Sequence, residues 1–230
     1  MKKMMKSYLV FTSSVYRTVM YVLMPAAMVG ICFCLGSRCG EAVREVILMG
    51  VALFLIIVEI ISDSWLFGGI QARDPERIDY LKTSGQGMKI MRNALSMDLL
   101  RKLLASLGVM AVCYLVLRRG GNVFARGTLW VDYDTSSSIV KDMGILLYLA
   151  LVSYFFSALG TFLSRYGSAV WLNAVIGYVT MTPALFCMCL PGVPEYVLFY
   201  DLLFAILSAG ISAVAVKLAM KKMEGGYYDK

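Results

Sequence analysis

The stretch 46-VILMGVALFLIIVEIISDSWL-66 decides the fold of this chain. Only Glu59 and Asp63 are charged within it. An α-helix needs about 20 mostly apolar residues to cross a bilayer, and this stretch is long enough. It therefore predicts a membrane-spanning helix.

Five further apolar runs of this kind occur along the chain. The six predicted spans cover residues 18–37, 46–66, 98–117, 143–164, 168–190 and 196–216. The composition agrees, because 60% hydrophobic and 16% charged residues lie far from the roughly 45–50% and about 25% of soluble domains. We expect an all-α polytopic membrane protein in which residues 1–230 form a single transmembrane domain, and we expect no nucleic-acid binding.

The distribution of the basic residues predicts the orientation. If both termini are cytoplasmic, sixteen of the Lys and Arg residues lie inside and six lie outside. An excess of Lys and Arg marks cytoplasmic loops, so we predict a multi-pass protein with both termini in the cytoplasm.

Residues 1–17 precede the first predicted span and have an amphipathic pattern. Lys3 and Lys6 share one helical face, whereas Met4 and Tyr8 lie largely on the other. This pattern predicts an interfacial helix in the inner headgroup layer. The alternative is a plain positive flank for the first span.

The chain contains no histidine and no glycine-rich phosphate loop. Imidazole serves most acid/base shuttles, zinc sites and Ser/His or Cys/His pairs, so these classes of enzyme are excluded. We expect no catalytic, cofactor or metal site in this chain. If ATP is used, a partner binds it.

Residues 73–102 form the longest charged stretch, which we predict to be a cytoplasmic loop. Asp74 and Pro75 are typical of a helix start, and Gly85 is typical of a helix end. A short helix over 75–83 would present four polar side chains, namely Arg77, Asp79, Tyr80 and Lys82. Such a helix suits contact with a protein partner; the alternative is a solvated connector.

The segment 77-RIDYLKTSG-85, followed by Lys89 and Arg92 and a leucine-rich span, resembles the coupling loop of small six-helix permeases of type V ABC exporters. Ser84-Gly85-Gln86 stands where that family usually has Ser-Leu-Pro. The resemblance covers the layout of the whole chain, and is greatest to bacterial exporters of amphipathic peptides of the phenol-soluble modulin type.

The resemblance implies a permease subunit of a bacterial plasma membrane. It would pair with a second copy of itself or a paralogue, and a cytoplasmic ABC ATPase subunit would bind ATP and magnesium. The four loop residues named above would contact that ATPase. The implied substrate is an amphipathic peptide or another hydrophobic molecule, and membrane lipid surrounds the chain.

Glu59 and Asp63 lie four residues apart, on one face of the second predicted span. An ionised carboxylate inside a bilayer is costly and commonly marks function, here a translocation pathway or a proton relay. The alternative is structural: a hydrogen bond to a neighbouring span, or a helix that ends at Asp63.

The fifth predicted span is interrupted by proline. Pro183, Pro191 and Pro194 predict a broken helix at its outer end, which is a candidate outer gate. The cysteines are expected to be membrane-buried thiols, with a disulfide from Cys39 to Cys187 or Cys189 as the alternative. Two other functions stay open: an ion-coupled transporter that uses Glu59 and Asp63, and a membrane immunity or assembly protein.

Overall fold

A computed structural model describes residues 2–36, 39–63, 83–121, 123–124, 139–166, 170–190, 193 and 195–224. These residues are predominantly helical, and no strand occurs among them. The described helices are α1 Lys2–Phe11, α2 Ser14–Gly36, α3 Glu41–Asp63, α4 Gly87–Arg118, α5 Ile139–Tyr166, α6 Val170–Met188 and α7 Val197–Glu224.

Five of the helices are long and apolar enough to cross a membrane. The crossing segments are Ser14–Gly36, Val43–Ser62, Gly87–Arg118, Lys141–Leu163 and Val197–Lys221. The all-α prediction is confirmed for the described residues, and the five apolar helices are compatible with the predicted multi-pass membrane protein. The fifth predicted span, residues 168–190, coincides with α6, but the apolar helix found there is the shorter Val175–Met188, so a sixth crossing stays a prediction.

The predicted helix over residues 1–17 is two helices. The chain leaves α1 after Phe11, and the Ser13 hydroxyl caps α2 by accepting a hydrogen bond from the Tyr16 backbone N–H at 3.1 Å. α1 packs along α4 and buries Tyr8 completely. Burial raises the pKa of the Tyr8 phenol far above its usual range. The amphipathic face is therefore used against the protein, and the predicted contact with headgroups stays a prediction.

A π-helical turn interrupts α2 at Val19–Leu23, just before Pro25. A proline ring clashes with the carbonyl four residues earlier, and the wider π-turn relieves this clash. The irregularity lies beside the cavity described below.

α4 is longer than the span predicted for it. Its 32 residues extend about 48 Å, whereas a hydrocarbon core is about 30 Å thick. The predicted span 98–117 is its second half. Of the predicted loop 73–102, residues 73–82 lie outside the described residues, and residues 87–102 form the first half of α4, against which α1 packs.

Specific contacts give the direction of each helix. α2 runs parallel to α4, because Gly36 packs on Leu117 and Cys32 lies beside Cys113, each four residues earlier in its helix. α3 runs parallel to α5, since the Ser153 hydroxyl donates to the Ala52 carbonyl at 3.0 Å and Ile60 packs on Gly160 further along both helices.

The remaining pairs follow in the same way. α4 is antiparallel to α5, because Lys102 contacts Thr161 and Tyr114 contacts Asp142. α6 is antiparallel to α5, because Cys187 contacts Tyr148 and Thr180 lies near Gly160. α7 is parallel to α5, because Val197 lies near Gly144 and Ser212 contacts Tyr154. The helices α2 to α7 therefore alternate in direction. The start of α2 and the end of α7 lie at one end of the bundle, which we name the terminal end.

α5 lies at the centre and contacts α3, α4, α6 and α7. Large apolar side chains of α2 and α7 are instead exposed, among them Phe33 at 64% and Leu198 at 78%. Exposed apolar side chains of this size are expected where a helix faces lipid.

Candidate functional site: a buried charge cluster beside an apolar cavity

Four charged side chains meet inside the bundle near its terminal end. We name Glu59, Asp98, Arg101 and Lys102 the charge cluster; each is at most 5% exposed. Glu59 comes from the last turns of α3, and the other three come from the middle of α4. The cluster has two negative and two positive charges, so it is neutral as a whole.

Arg101 is the centre of the charge cluster. Its Nη1 donates to Glu59 Oε1 at 2.9 Å, and its Nη2 donates to Glu59 Oε2. The same side chain binds Asp98 Oδ1, from Nη2 at 3.2 Å and from Nε at 3.3 Å. A guanidinium fork suits two carboxylates in this way. Arg101 thus links α3 to α4.

Lys102 extends the cluster to α5. Its Nζ lies 3.3 Å from Asp98 Oδ2 and donates to the Thr161 hydroxyl. Both Lys102 and Asp98 are completely buried. Since α5 is the central helix, Lys102 connects the cluster to the core.

Polar side chains of α1, α2 and α3 surround the cluster. Tyr8 and Tyr16 lie close enough to interact electrostatically with Asp98 and Arg101. The Ser62 hydroxyl donates to the Glu59 backbone carbonyl at 2.9 Å. The residues that hold the charges therefore come from five consecutive helices.

Such a cluster is costly to interrupt. Removing one member of a buried ion pair leaves the other charge without compensation, which costs about 3–5 kcal/mol. Replacing both members by neutral groups is often tolerated. We therefore expect the protein to be destabilised by the loss of one charge of the cluster and to tolerate the replacement of both members of an ion pair by neutral groups.

An apolar cavity of about 630 Å³ lies against Arg101. It is bounded by α1, α2 and α4 and is open toward the outer surface, and the described residues of its walls are apolar except for Arg101 and the Tyr21 hydroxyl. The lining residues are Met5, Met20, Tyr21, Pro25, Ala26, Val29, Met97, Arg101, Leu104, Ala105, Gly108, Val109 and Val112. The volume lies within the range of about 300–1,000 Å³ that is usual for small-molecule sites.

The cavity forms where α2 and α4 leave room between them. At the far end of the pair, Cys32, Gly36 and their partners on α4 are in direct contact. Toward the terminal end, a side chain added at Gly108 would meet nothing within 4 Å. The cavity therefore lies between α2 and α4, on the terminal-end side of this contact.

The structure brings only part of the predicted site together. Glu59 joins the charge cluster, and its hydrogen bonds to α4 are those of the structural alternative. Asp63 ends α3, and its side chain lies outside the description. The predicted coupling residues Arg77, Asp79, Tyr80 and Lys82 lie outside the described residues.

Of the three proline residues of the predicted outer gate, one lies within the described residues. Pro183 lies inside α6 and is exposed, whereas Pro191 and Pro194 lie outside the described residues. Cys39, Cys187 and Cys189 are free thiols in the structure.

Sequence reasoning missed three members of the cluster. In the sequence, Asp98, Arg101 and Lys102 indicate a charged loop and a span flank, because charges at the edge of an apolar run usually mark the membrane boundary. Two signals could have found them. They lie at positions i, i+3 and i+4 of one helix, and Glu59 predicts a buried cation as its partner.

Comparison of the chain with protein-family models, with curated proteins and with solved structures finds no match.

Proposed function

We propose that this chain is the membrane-spanning subunit of an ATP-driven ABC exporter that moves hydrophobic or amphipathic molecules out of a bacterial cell. It works with a separate cytoplasmic ATPase subunit and with a second permease, either another copy or a paralogue. Its multi-pass helical architecture supports this proposal.

The observation that carries the proposal is the cavity. It gives a hydrophobic molecule a place within the helix bundle, and it opens on the apolar outer surface, since Leu104 and Val112 in its wall are 57% and 45% exposed. A molecule dissolved in the bilayer can reach such a site without passing through water. Export of hydrophobic substrates requires this kind of access.

The alternating helix directions support six crossings. α6 runs antiparallel to the adjacent α5, as an additional crossing segment would. Its 19 residues extend about 28 Å, close to the thickness of a hydrocarbon core. Six crossings put both termini on one side, and the basic residues favour the cytoplasm for that side.

The charge cluster supports a mechanical role for α4. The predicted coupling segment lies immediately before this helix, and α4 carries three of the four cluster residues and one wall of the cavity. A shift of α4 would therefore move Arg101 relative to Glu59 and change the cavity. Closure of the ATPase dimer would drive this shift.

The experiment is affinity purification of the tagged chain from its native membrane in mild detergent, with mass spectrometry of the bound proteins. We expect a stoichiometric ATPase that carries a phosphate-binding loop. The double variant Asp79→Ala/Tyr80→Ala should lose that partner. Asp132→Ala/Tyr133→Ala is the matched control, because the same dipeptide occurs there in the predicted outer loop. Recovery of the chain alone, or full ATPase binding by the first variant, would contradict the proposal.

One observation favours the alternative of an ion-coupled transporter: Glu59 is a buried carboxylate in a predicted span. Both oxygens of that carboxylate accept hydrogen bonds from Arg101 in the structure. This alternative predicts transport driven by an ion gradient without any ATPase, and its loss in Glu59→Gln.

A further inference from the structure

The shape of the cavity restricts what it can hold. Along α4 it extends from Met97 to Val112, which corresponds to about 22 Å at helical rise. Arg101 lies near the terminal end of this length, and among the described residues of the lining it is the only charged one. The cavity is therefore long, apolar over most of its length and polar at one end.

Its volume distinguishes two classes of hydrophobic substrate. A helical peptide is about 10 Å across with side chains, so 22 Å of such a helix occupies roughly 1,700 Å³. The cavity has about 630 Å³. A helical peptide exceeds this volume and would project from the open side of the cavity, whereas a single extended hydrocarbon chain needs much less space.

The polar end retains one hydrogen-bond donor. A guanidinium has five N–H groups, and Arg101 uses one from Nε, one from Nη1 and two from Nη2 for Glu59 and Asp98. Within the described residues, the second N–H of Nη1 has no acceptor. The Arg101 side chain is only 5% exposed, so this donor is also largely shielded from water.

The surrounding charge favours an anion at that end. Residues 1–17, which include α1 and the start of α2, carry four basic residues and no acidic one. Lys3 and Lys6 are exposed on α1, near Met5 of the cavity wall. The two carboxylates of the charge cluster are already matched by Arg101 and Lys102, so the additional cations attract a further negative group.

We infer that the cavity binds a long-chain fatty acid, with its carboxylate on Arg101 and its acyl chain between α2 and α4. A carboxylate has the planar geometry that a guanidinium prefers, and it can take the free Nη1 donor. This inference rests on the proposed function, because it names the substrate class of the same site. It replaces the expected peptide by a single-chain lipid at this site.

The first test fills the cavity without disturbing the charges. Gly108→Phe places a ring in open space within the cavity, and Gly210→Phe places the same ring on the exposed face of α7, where a side chain also meets nothing within 4 Å. Binding of radiolabelled palmitate to the purified full chain in mild detergent is measured for both. We expect saturable binding by the wild type and by Gly210→Phe, and at least tenfold weaker binding by Gly108→Phe.

The second test examines the headgroup. Hexadecanol has the same chain without the acid, and loss of a hydrogen bond to a charged group corresponds to roughly 10- to 100-fold weaker binding. The variant Glu59→Gln/Arg101→Gln removes both charges of one ion pair and keeps groups that can hydrogen-bond. We expect hexadecanol to compete poorly with palmitate, and the double variant to bind palmitate and hexadecanol about equally.

Three results would overturn the inference. They are unchanged palmitate binding by Gly108→Phe, equal competition by hexadecanol on the wild type, and displacement of palmitate by an amphipathic helical peptide at equal concentration. The assay contains no nucleotide and no ATPase, so its failure leaves the exporter proposal standing. Conversely, palmitate binding without any ATPase partner would support the site and contradict the proposed function.

Discussion

The two ends of the α2–α4 helix pair are held together in different ways. Away from the terminal end, Gly36 packs on Leu117, and the Arg44 guanidinium donates to the Gly36 carbonyl at 3.1 Å. At the terminal end, Arg101 connects α4 to Glu59 on α3, and α2 stands apart from α4 across the cavity. At the end away from the terminal end, which we name the closed end, the backbones of α2 and α4 approach each other closely. At the terminal end, charged side chains hold the helices.

This difference indicates which end can move. Contacts that depend on glycine leave no space for rearrangement, because interiors are close-packed. Hydrogen-bonded ion pairs can exchange partners without repacking the helices. We therefore expect the closed end to act as a fixed point and the terminal end to be the part that can rearrange, as the proposed transport function would require.

The largest effect is expected at the charge cluster. Arg101→Ala leaves Glu59 and Asp98 with one cation between them, which should lower the free energy of unfolding by about 3–5 kcal/mol. Unfolding by sodium dodecyl sulfate in mixed micelles measures this change. Arg92→Ala is the control, because Arg92 is an exposed arginine on the same helix.

The double variant Glu59→Gln/Arg101→Gln sharpens this result. It should recover much of the stability lost in Arg101→Ala, since no uncompensated carboxylate of that pair remains. If Arg101→Ala unfolds like the wild type, the ion pairs contribute little and the terminal end is held by apolar packing.

A smaller effect is expected at the closed end. Gly121 has a backbone φ of 132°, and a methyl group there would also meet the Arg44 guanidinium. Gly121→Ala should therefore lower the free energy of unfolding by about 1–3 kcal/mol in the same titration.

Gly50→Ala is the matched control for Gly121→Ala. Gly50 lies on an exposed face of α3 and has open space around it, so alanine there should stabilise by about 0.5–1 kcal/mol. If both alanine variants stabilise the protein, the turn after α4 is not constrained and the closed end is looser than described.

The smallest effect on stability is expected for the thiol pair of α2 and α4. Cys32 and Cys113 lie beside each other, so a mild oxidant such as diamide should join them in a disulfide that dithiothreitol reverses. Loss of two maleimide-reactive thiols in the denatured protein reports the bond. Cys34→Ser should still form it, and Cys113→Ser should not.

Absence of the Cys32–Cys113 bond in the wild type, or its presence in Cys113→Ser, would contradict the parallel alignment of α2 and α4. In that case the contrast between the two ends would no longer hold.

Much of the fold was predictable because hydrocarbon restricts the chain so strongly. Five predicted spans have counterparts among the crossing helices, since an apolar run of about 20 residues has few alternatives to a helix in a bilayer. The boundaries were less predictable. α4 begins eleven residues before its predicted span, at Gly87, because α1 covers its first half.

The candidate site was predictable at one residue. Glu59 was identified from its charge within an apolar stretch, which is a local property. Asp98, Arg101 and Lys102 look like a solvated flank in sequence, and their burial depends on Glu59, Thr161 and Tyr8, which are distant in sequence.

The sequence by itself determined a helical, membrane-embedded chain and the position of one costly carboxylate, because these follow from the transfer of side chains between water and hydrocarbon. Only the tertiary structure decided which cations match that carboxylate, that α1 packs on α4, and that a cavity remains between α2 and α4. The physical reason is that such pairings depend on distances between helices, and the local pattern of residues does not contain those distances.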